Sequence, residues 1–240
     1  MSKNLIVSLG HNCYVSWTLR KIGLQGPSFP IDWVNSFSFA GVLDFFSDSS
    51  SDFVNGLEPC KKTGEEENDK ILYSSKYHFR LPHEYDLDPN KSVASIKKMY
   101  QRRIERFFEK CKEAEKIIFV RNLYEKPYKT VQPENLEQID SLSSKFCALI
   151  ERQLGNKEFI VIFSSYTDRH FKFTNAKCLY LNQILPFENG FFDYDTTKVL
   201  GNDLFQLKAN FFDKVLEKDF SSLTDETLKE IYLKCYTSKP

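Results

Sequence analysis

Cysteine, histidine, aspartate and arginine stand in this chain at places where they can do chemistry. Cys13 follows the apolar run NLIVSLG, which stops at Gly10, and precedes a segment with helical spacing. A strand that ends in Gly and passes into a helix delivers the next residues to the carboxyl edge of a sheet, where open α/β folds bind ligands. There the helix N-terminus favours thiolate over thiol. His11 and Asn12 beside it offer a base or an oxyanion donor. The alternative is a small apolar cysteine under a helix, with Gly10 as a tight turn and Asn12 as an N-cap.

A cysteine nucleophile needs a base, and the chain has four histidines. His11 is too near Cys13 in sequence to face it. His78 lies in a strand pattern, which favours a surface or cross-strand role. His170 follows the run EFIVIFS and would reach the same edge of the sheet. His83, in RLPHEYD, has Glu84 and Asp86 beside it to hold an imidazole. The residue chemistry alone leaves His83 and His170 level. In SFPIDW, residues 28 to 33, Asp32 returns toward the helix of Cys13; it orients a histidine, binds substrate, pairs with Arg20 or caps the helix that starts near Asn35. Arg121 ends the apolar run KIIFVRN and needs either a carboxylate such as Asp32 or an anionic substrate group.

The elements that must position these residues alternate between strand and helix, the pattern of an α/β domain with a mostly parallel sheet. Strands are predicted at 5–10, 116–122, 158–164 and 177–182, each apolar throughout as strands covered on both faces should be. A weaker strand or hairpin is predicted at 71–81. Val93, Ile96, Tyr100, Ile104, Phe107 and Cys111 repeat at helical steps behind Ser92 as cap. Leu136 to Ile150 does the same and stops at Gly155. Leu204–Val215 and Thr224–Cys235 read as helices that cover the sheet, the second with Leu223 stapled onto Leu228. The segments 60–69 and 83–91 read as loops. The expectation is one α/β domain over residues 1–240, with a core over about 4–185 and a helical portion over about 186–240.

The 240 residues are 41% hydrophobic, and 33 basic side chains balance 33 acidic ones. That balance gives no long-range attraction for nucleic acid. No apolar stretch approaches the roughly 20 residues of a membrane span and no signal peptide is visible, so a soluble, cytoplasmic protein is expected. The six cysteines show no CxxC pair, which predicts reduced thiols and no metal site. No cofactor is expected.

LGHNC, LRKIGL, SFPIDW, the PHE of LPHEYD, YQRRIERF and IIFVRN together, in this order over about residues 4–185, resemble the bacterial and viral family of papain-like cysteine peptidases, a domain of unknown function. The resemblance implies a nucleophile at Cys13, a histidine partner at His83 and Asp32 as a third member. It favours His83 over His170. With it Asn12, His11, Arg121 and Trp33 are expected to line the substrate and oxyanion site. Ile31 stands where the family usually has Phe, and Glu84 where it usually has Asp; both keep the chemical type. The implied substrate is a protein, a peptide or an acylated or glycan small molecule. The same residues also suit acyl or glycosyl transfer in surface polysaccharide synthesis, or a binding protein that keeps the motif for packing.

Overall fold

The computed structural model describes residues 4–11, 13–48, 50–59, 71–86, 88–123, 134–165, 171–182 and 209–237. Four apolar strands make one parallel sheet: β1 (Asn4–Ser8), β6 (Lys116–Asn122), β7 (Glu158–Ser165) and β8 (Cys178–Asn182), in the order β1-β6-β7-β8. Alternate residues serve opposite faces, as the pleat demands. Val7, Phe119 and Val161 join a core with α2 (Phe39–Ser47), α4 (Val93–Glu113) and α5 (Leu136–Leu154). Ile6, Ile118 and Ile160 join a second core with α1 (Tyr14–Lys21), α6 (Ala209–Leu216) and α7 (Asp225–Thr237). Burial on both faces explains why these strands carry no polar alternation.

The helices begin and end where their caps say. Ser92 Oγ accepts from Ser95 N at the start of α4, and Asn135 accepts from Gln138 N at the start of α5. Gly155 closes α5 at φ 68°, a conformation that suits glycine. Leu223 and Leu228 are both buried in the α1-side core. The candidate helix over Leu204–Val215 is described only from Ala209, and the predicted loop 60–69 lies outside the described residues.

A second sheet is present that the sequence does not announce. β2 (Asn35–Ser36), β3 (Glu58–Pro59), β4 (Leu72–Ser74) and β5 (Phe79–Leu81) run antiparallel in the order β2-β5-β4-β3. The weak strand at 71–81 is therefore a hairpin, with His78 in its turn at φ 53°. α2 and α3 (Ser50–Asn55) pack here in a cluster of aromatic rings, Phe45 lying 5.0 Å from Phe53 edge to face. Among the described residues no helix is long and apolar enough to cross a membrane.

The topology places one crossing at the edge strand β1. α1 packs on one face of the parallel sheet, whereas Phe29, Ile31 and Val34 belong to the core on the other. The SFPIDW segment thus wraps around the β1 edge, and this wrap brings the candidate residues together.

Candidate active site

Beyond β1, Leu9 N still donates to Val120 O at 2.7 Å, after which the chain turns sharply. Gly10 and His11 both have left-handed backbones, φ 76° and 82°. Glycine is required at 10 for space as well, since a Cβ there would lie 2.5 Å from Ser36 Oγ and 2.8 Å from Ile31 Cγ2. The non-glycine His11 is held in the same region by two bonds to β2: His11 N donates to Ser36 Oγ (2.7 Å), and Ser36 N donates to His11 O (3.1 Å).

This turn sets down Cys13 as the N-cap of α1. Its carbonyl accepts from Trp17 N at 2.8 Å, its backbone is already helical, and its half-buried side chain makes no capping bond. Burial pushes the Cys13 thiol up, and a backbone hydrogen bond offsets only part of this. The direction is opposite to the one a helix N-terminus alone would give, because desolvation of the charged sulfur outweighs the helix dipole. His11 is also buried, and burial followed by the Arg121 charge lowers it to about 3. It is neutral at physiological pH and supplies no cation to a thiolate. Asn12 lies outside the described residues.

Asp32 is fully buried. Its carboxylate accepts from Phe29 N at 2.5 Å and from Ser16 Oγ at 3.1 Å, so it ties the wrap to the first turns of α1. Burial raises it to about 6 against the pull of these bonds. Trp33 does the same work further along the helix: Trp33 Nε1 and Arg20 Nη2 both donate to Ser28 Oγ, at 3.0 and 2.8 Å, and the Arg20 guanidinium lies 5.0 Å over the indole. Arg20 therefore serves Ser28 and Trp33 rather than Asp32.

His83 is exposed in the connection between β5 and α4, its Nδ1 2.8 Å from Asp86 Oδ2 and its ring edge-on to Trp33 at 6.4 Å. The adjacent Glu84 turns inward, accepting from Tyr100 Oη (2.7 Å) and Arg103 Nη1 (3.2 Å), and so anchors the segment. Of the carboxylates near His83, Asp86 is the one on the imidazole, at the i, i+3 spacing visible in HEYD. No hydrogen bond joins the Cys13 thiol to His83. Cys13 starts α1 and Arg20 is in its last turn, about 10 Å further along the axis; the imidazole reaches this helix through Trp33 and Arg20.

Arg121 has no exposed surface. Its Nη1 donates to Leu9 O and Ser36 Oγ, both at 3.0 Å, and its Nη2 to Ser36 O at 3.2 Å and Glu134 Oε1 at 2.7 Å. Glu134 Oε1 also accepts from Phe39 N at 2.9 Å. The carboxylate that meets Arg121 is thus Glu134, 13 residues away at the head of α5, and nothing in PENLEQ marks it in advance. The cluster fixes the turn that carries Cys13, and Ser36, its hub, gave no signal in the sequence. His78 Nδ1 lies 3.2 Å from Tyr73 Oη in the hairpin, and His170 lies outside the described residues. Among the described residues no cluster of three His, Cys, Asp or Glu side chains is placed to hold a metal ion.

A family model described as "Putative papain-like cysteine peptidase (DUF1796)" matches residues 4–169. An uncharacterized protein of Acanthamoeba polyphaga mimivirus is 27% identical over 158 residues, which span 58% of this chain and 70% of that protein. No solved structure matches the chain.

Proposed function

The chain belongs to the papain-like cysteine peptidase family, and from that premise we propose that it is a thiol-dependent acyl-transfer hydrolase with Cys13 as nucleophile and His83 as base. The family match includes both residues. The observation that carries the reading is the contact between His83 Nδ1 and Asp86 at 2.8 Å. A carboxylate there holds the proton on Nδ1 and leaves the Nε2 lone pair free to act as base.

Because burial raises its thiol, Cys13 rests as S–H, and its proton has to leave as the bond to carbon forms. His83 Nε2 takes that proton while Sγ attacks the carbonyl carbon of an amide or ester. Backbone N–H groups at the start of α1 meet the resulting oxyanion. The tetrahedral intermediate collapses, the carbon–leaving-group bond breaks, and the imidazolium gives its proton to the leaving group. Water then resolves the thioester, with His83 again as base; an acceptor hydroxyl in place of water would make the same enzyme a transferase. Asp32 acts on position, holding the wrap to α1 through Ser16. Trp33, edge-on to the imidazole and under the Arg20 guanidinium, keeps His83 beside α1. A reducing cytoplasm suits this use of a free thiol.

The mechanism requires Nε2 to come within about 3–4 Å of Sγ in the substrate complex, so the exposed His83 has to move along α1 from its last turn toward its first when substrate binds. Iodoacetamide should label Cys13 ahead of Cys111, Cys147, Cys178 and Cys235, all of which are buried, and the labelling rate should inflect above the ordinary thiol range. On a cleaved acyl substrate, His83→Ala should lower kcat by about 10²–10⁴. Sparing of Cys13 from the label, or full turnover by Cys13→Ser, would end the proposal.

A further inference from the structure

Two cysteines that this mechanism does not use lie against each other. Cys147 Sγ on α5 and Cys178 Sγ at the first residue of β8 are 3.4 Å apart, and both side chains sit in the main core. They are held there from both sides. Asp140, Cys147 and Glu151 fall on one face of α5 at helical spacing. Asp140 accepts from Thr174 N (2.9 Å) and Oγ1 (3.1 Å), and Glu151 pairs with Lys177 Nζ (2.7 Å). Thr174 and Lys177 belong to the segment that leads into β8. The chain before Cys178 is therefore fastened to α5 before and after Cys147, and the sulfurs meet in the middle of that seam. A disulfide needs a separation of about 2.04 Å, so the sulfurs have only about 1.4 Å to close.

We propose that Cys147 and Cys178 are an oxidation site, joined by small hydroperoxides into a reversible disulfide that staples the edge strand β8 to α5. The 3.4 Å contact lets either sulfur donate to the other, so whichever of the two is oxidised first has its partner already in place to resolve it. With Cys178 first, its sulfur attacks the peroxide oxygen as its own proton passes to the departing oxygen, so that an S–O bond forms, the S–H and O–O bonds break, and water or an alcohol departs, leaving a sulfenic acid. Cys147 sulfur then attacks Cys178 sulfur, the S–S bond forms, the S–O bond breaks, and the hydroxyl leaves as water with the Cys147 proton. Two thiols lose two electrons, and one hydroperoxide gains them. Burial keeps bulky disulfide oxidants away from both sulfurs and makes the reaction slow, so the oxidant is a hydroperoxide small enough to reach them when the α5–β8 seam opens.

The test treats the intact chain with hydrogen peroxide, removes the peroxide, then unfolds the chain in guanidinium chloride containing N-ethylmaleimide so that every free thiol is blocked, and digests it without reductant. Mass spectrometry should find the Cys147 and Cys178 peptides joined, lighter by two hydrogen atoms than the two thiol peptides together, and separated again by dithiothreitol. The joined species should form equally in Cys13→Ser, which makes the result independent of the proposed catalytic thiol. In Cys147→Ala, and separately in Cys178→Ala, it should vanish while the remaining cysteine is still recovered from folded protein. The proposal is overturned if both thiols stay maleimide-reactive after Cys13 has been fully oxidised. It is overturned equally if each goes to its own sulfinic acid, or if either pairs with a different cysteine.

Discussion

Replacing Arg121 with methionine separates the two roles that the sequence leaves open for this residue. In the folded chain its guanidinium is wholly buried and supplies bonds to Leu9 O, Ser36 Oγ, Ser36 O and Glu134. Methionine fills much of the volume and donates nothing. The dominant cost is the Glu134 carboxylate, 6% exposed and left without its cation. Breaking a buried pair on one side costs about 3–5 kcal/mol, and in a domain of this size each kcal/mol lowers Tm by about 2–4 °C. Arg121→Met should therefore melt about 6–20 °C below the parent in a thermal scan followed by circular dichroism. Removing the carboxylate as well, in Arg121→Met with Glu134→Leu, takes away the uncompensated charge and should recover about half of the loss; Phe39 N and the Leu9 and Ser36 carbonyls still lack their partners. A cost below about 1 kcal/mol for Arg121→Met, or a double variant no better than the single, would refute the argument. Loss of turnover with an unchanged melt would move Arg121 to substrate binding.

Other perturbations follow from the same geometry. Asp32 ionises at about 6 in the fold against 3.8 for the free group, so the folded chain holds its proton more tightly. Its contribution to stability is full below pH 3.8, falls as pH rises through about 6, and amounts to about 3 kcal/mol over that interval. Urea titrations from pH 4 to 7 should show this slope in the parent and not in Asp32→Asn; parallel slopes would exclude it. Gly10→Ala combines a left-handed backbone with a collision on Ser36 and Ile31, and should cost more than about 2 kcal/mol. Gly23→Ala has φ 76° but open space around it, and should cost about 1 kcal/mol. Equal costs in denaturant melts would mean that packing at Gly10 carries nothing.

The parallel sheet was legible because burial on both faces leaves a run of apolar residues that nothing else produces. KIIFVRN is β6 from end to end, and EFIVIFS is extended by one residue in β7. α4 and α5 were legible for the complementary reason, one apolar stripe each, with Ser92 as the cap of α4 and Gly155 as the stop of α5. The antiparallel sheet was not, since β2 and β3 have two residues each and no period can be read from two positions. α2 carries an apolar stripe too, Phe39, Val42, Phe45 and Phe46 being buried at helical steps, but the helix expected to start near Asn35 begins at Phe39 behind Ser38 as cap, because Asn35 and Ser36 pair as β2.

The site divides along a similar line, between what a residue type implies and what its partner decides. Cys13 at a strand-to-helix turn is a local fact, fixed by Gly10 and the helix behind it, and spacing alone finds it. What that thiol does depends on desolvation, which reverses the direction expected from the helix dipole and is a property of the packed wrap. The carboxylates make the point most clearly. Asp32, Glu84 and Asp86 are equivalent as letters, and the fold sends each to a different partner. Asp32 binds Ser16 and a backbone N–H, Glu84 binds Tyr100 and Arg103, and Asp86 takes the imidazole. Burial sorts them, because the two inward carboxylates must be satisfied by the core that surrounds them, whereas Asp86 stays at the surface with His83. An exposed carboxylate–imidazole pair is held loosely and can follow a substrate, so Asp86→Asn should weaken turnover while leaving the melting temperature of the chain unchanged. A large loss of stability in that variant would place Asp86 with Asp32 and Glu84 as part of the scaffold.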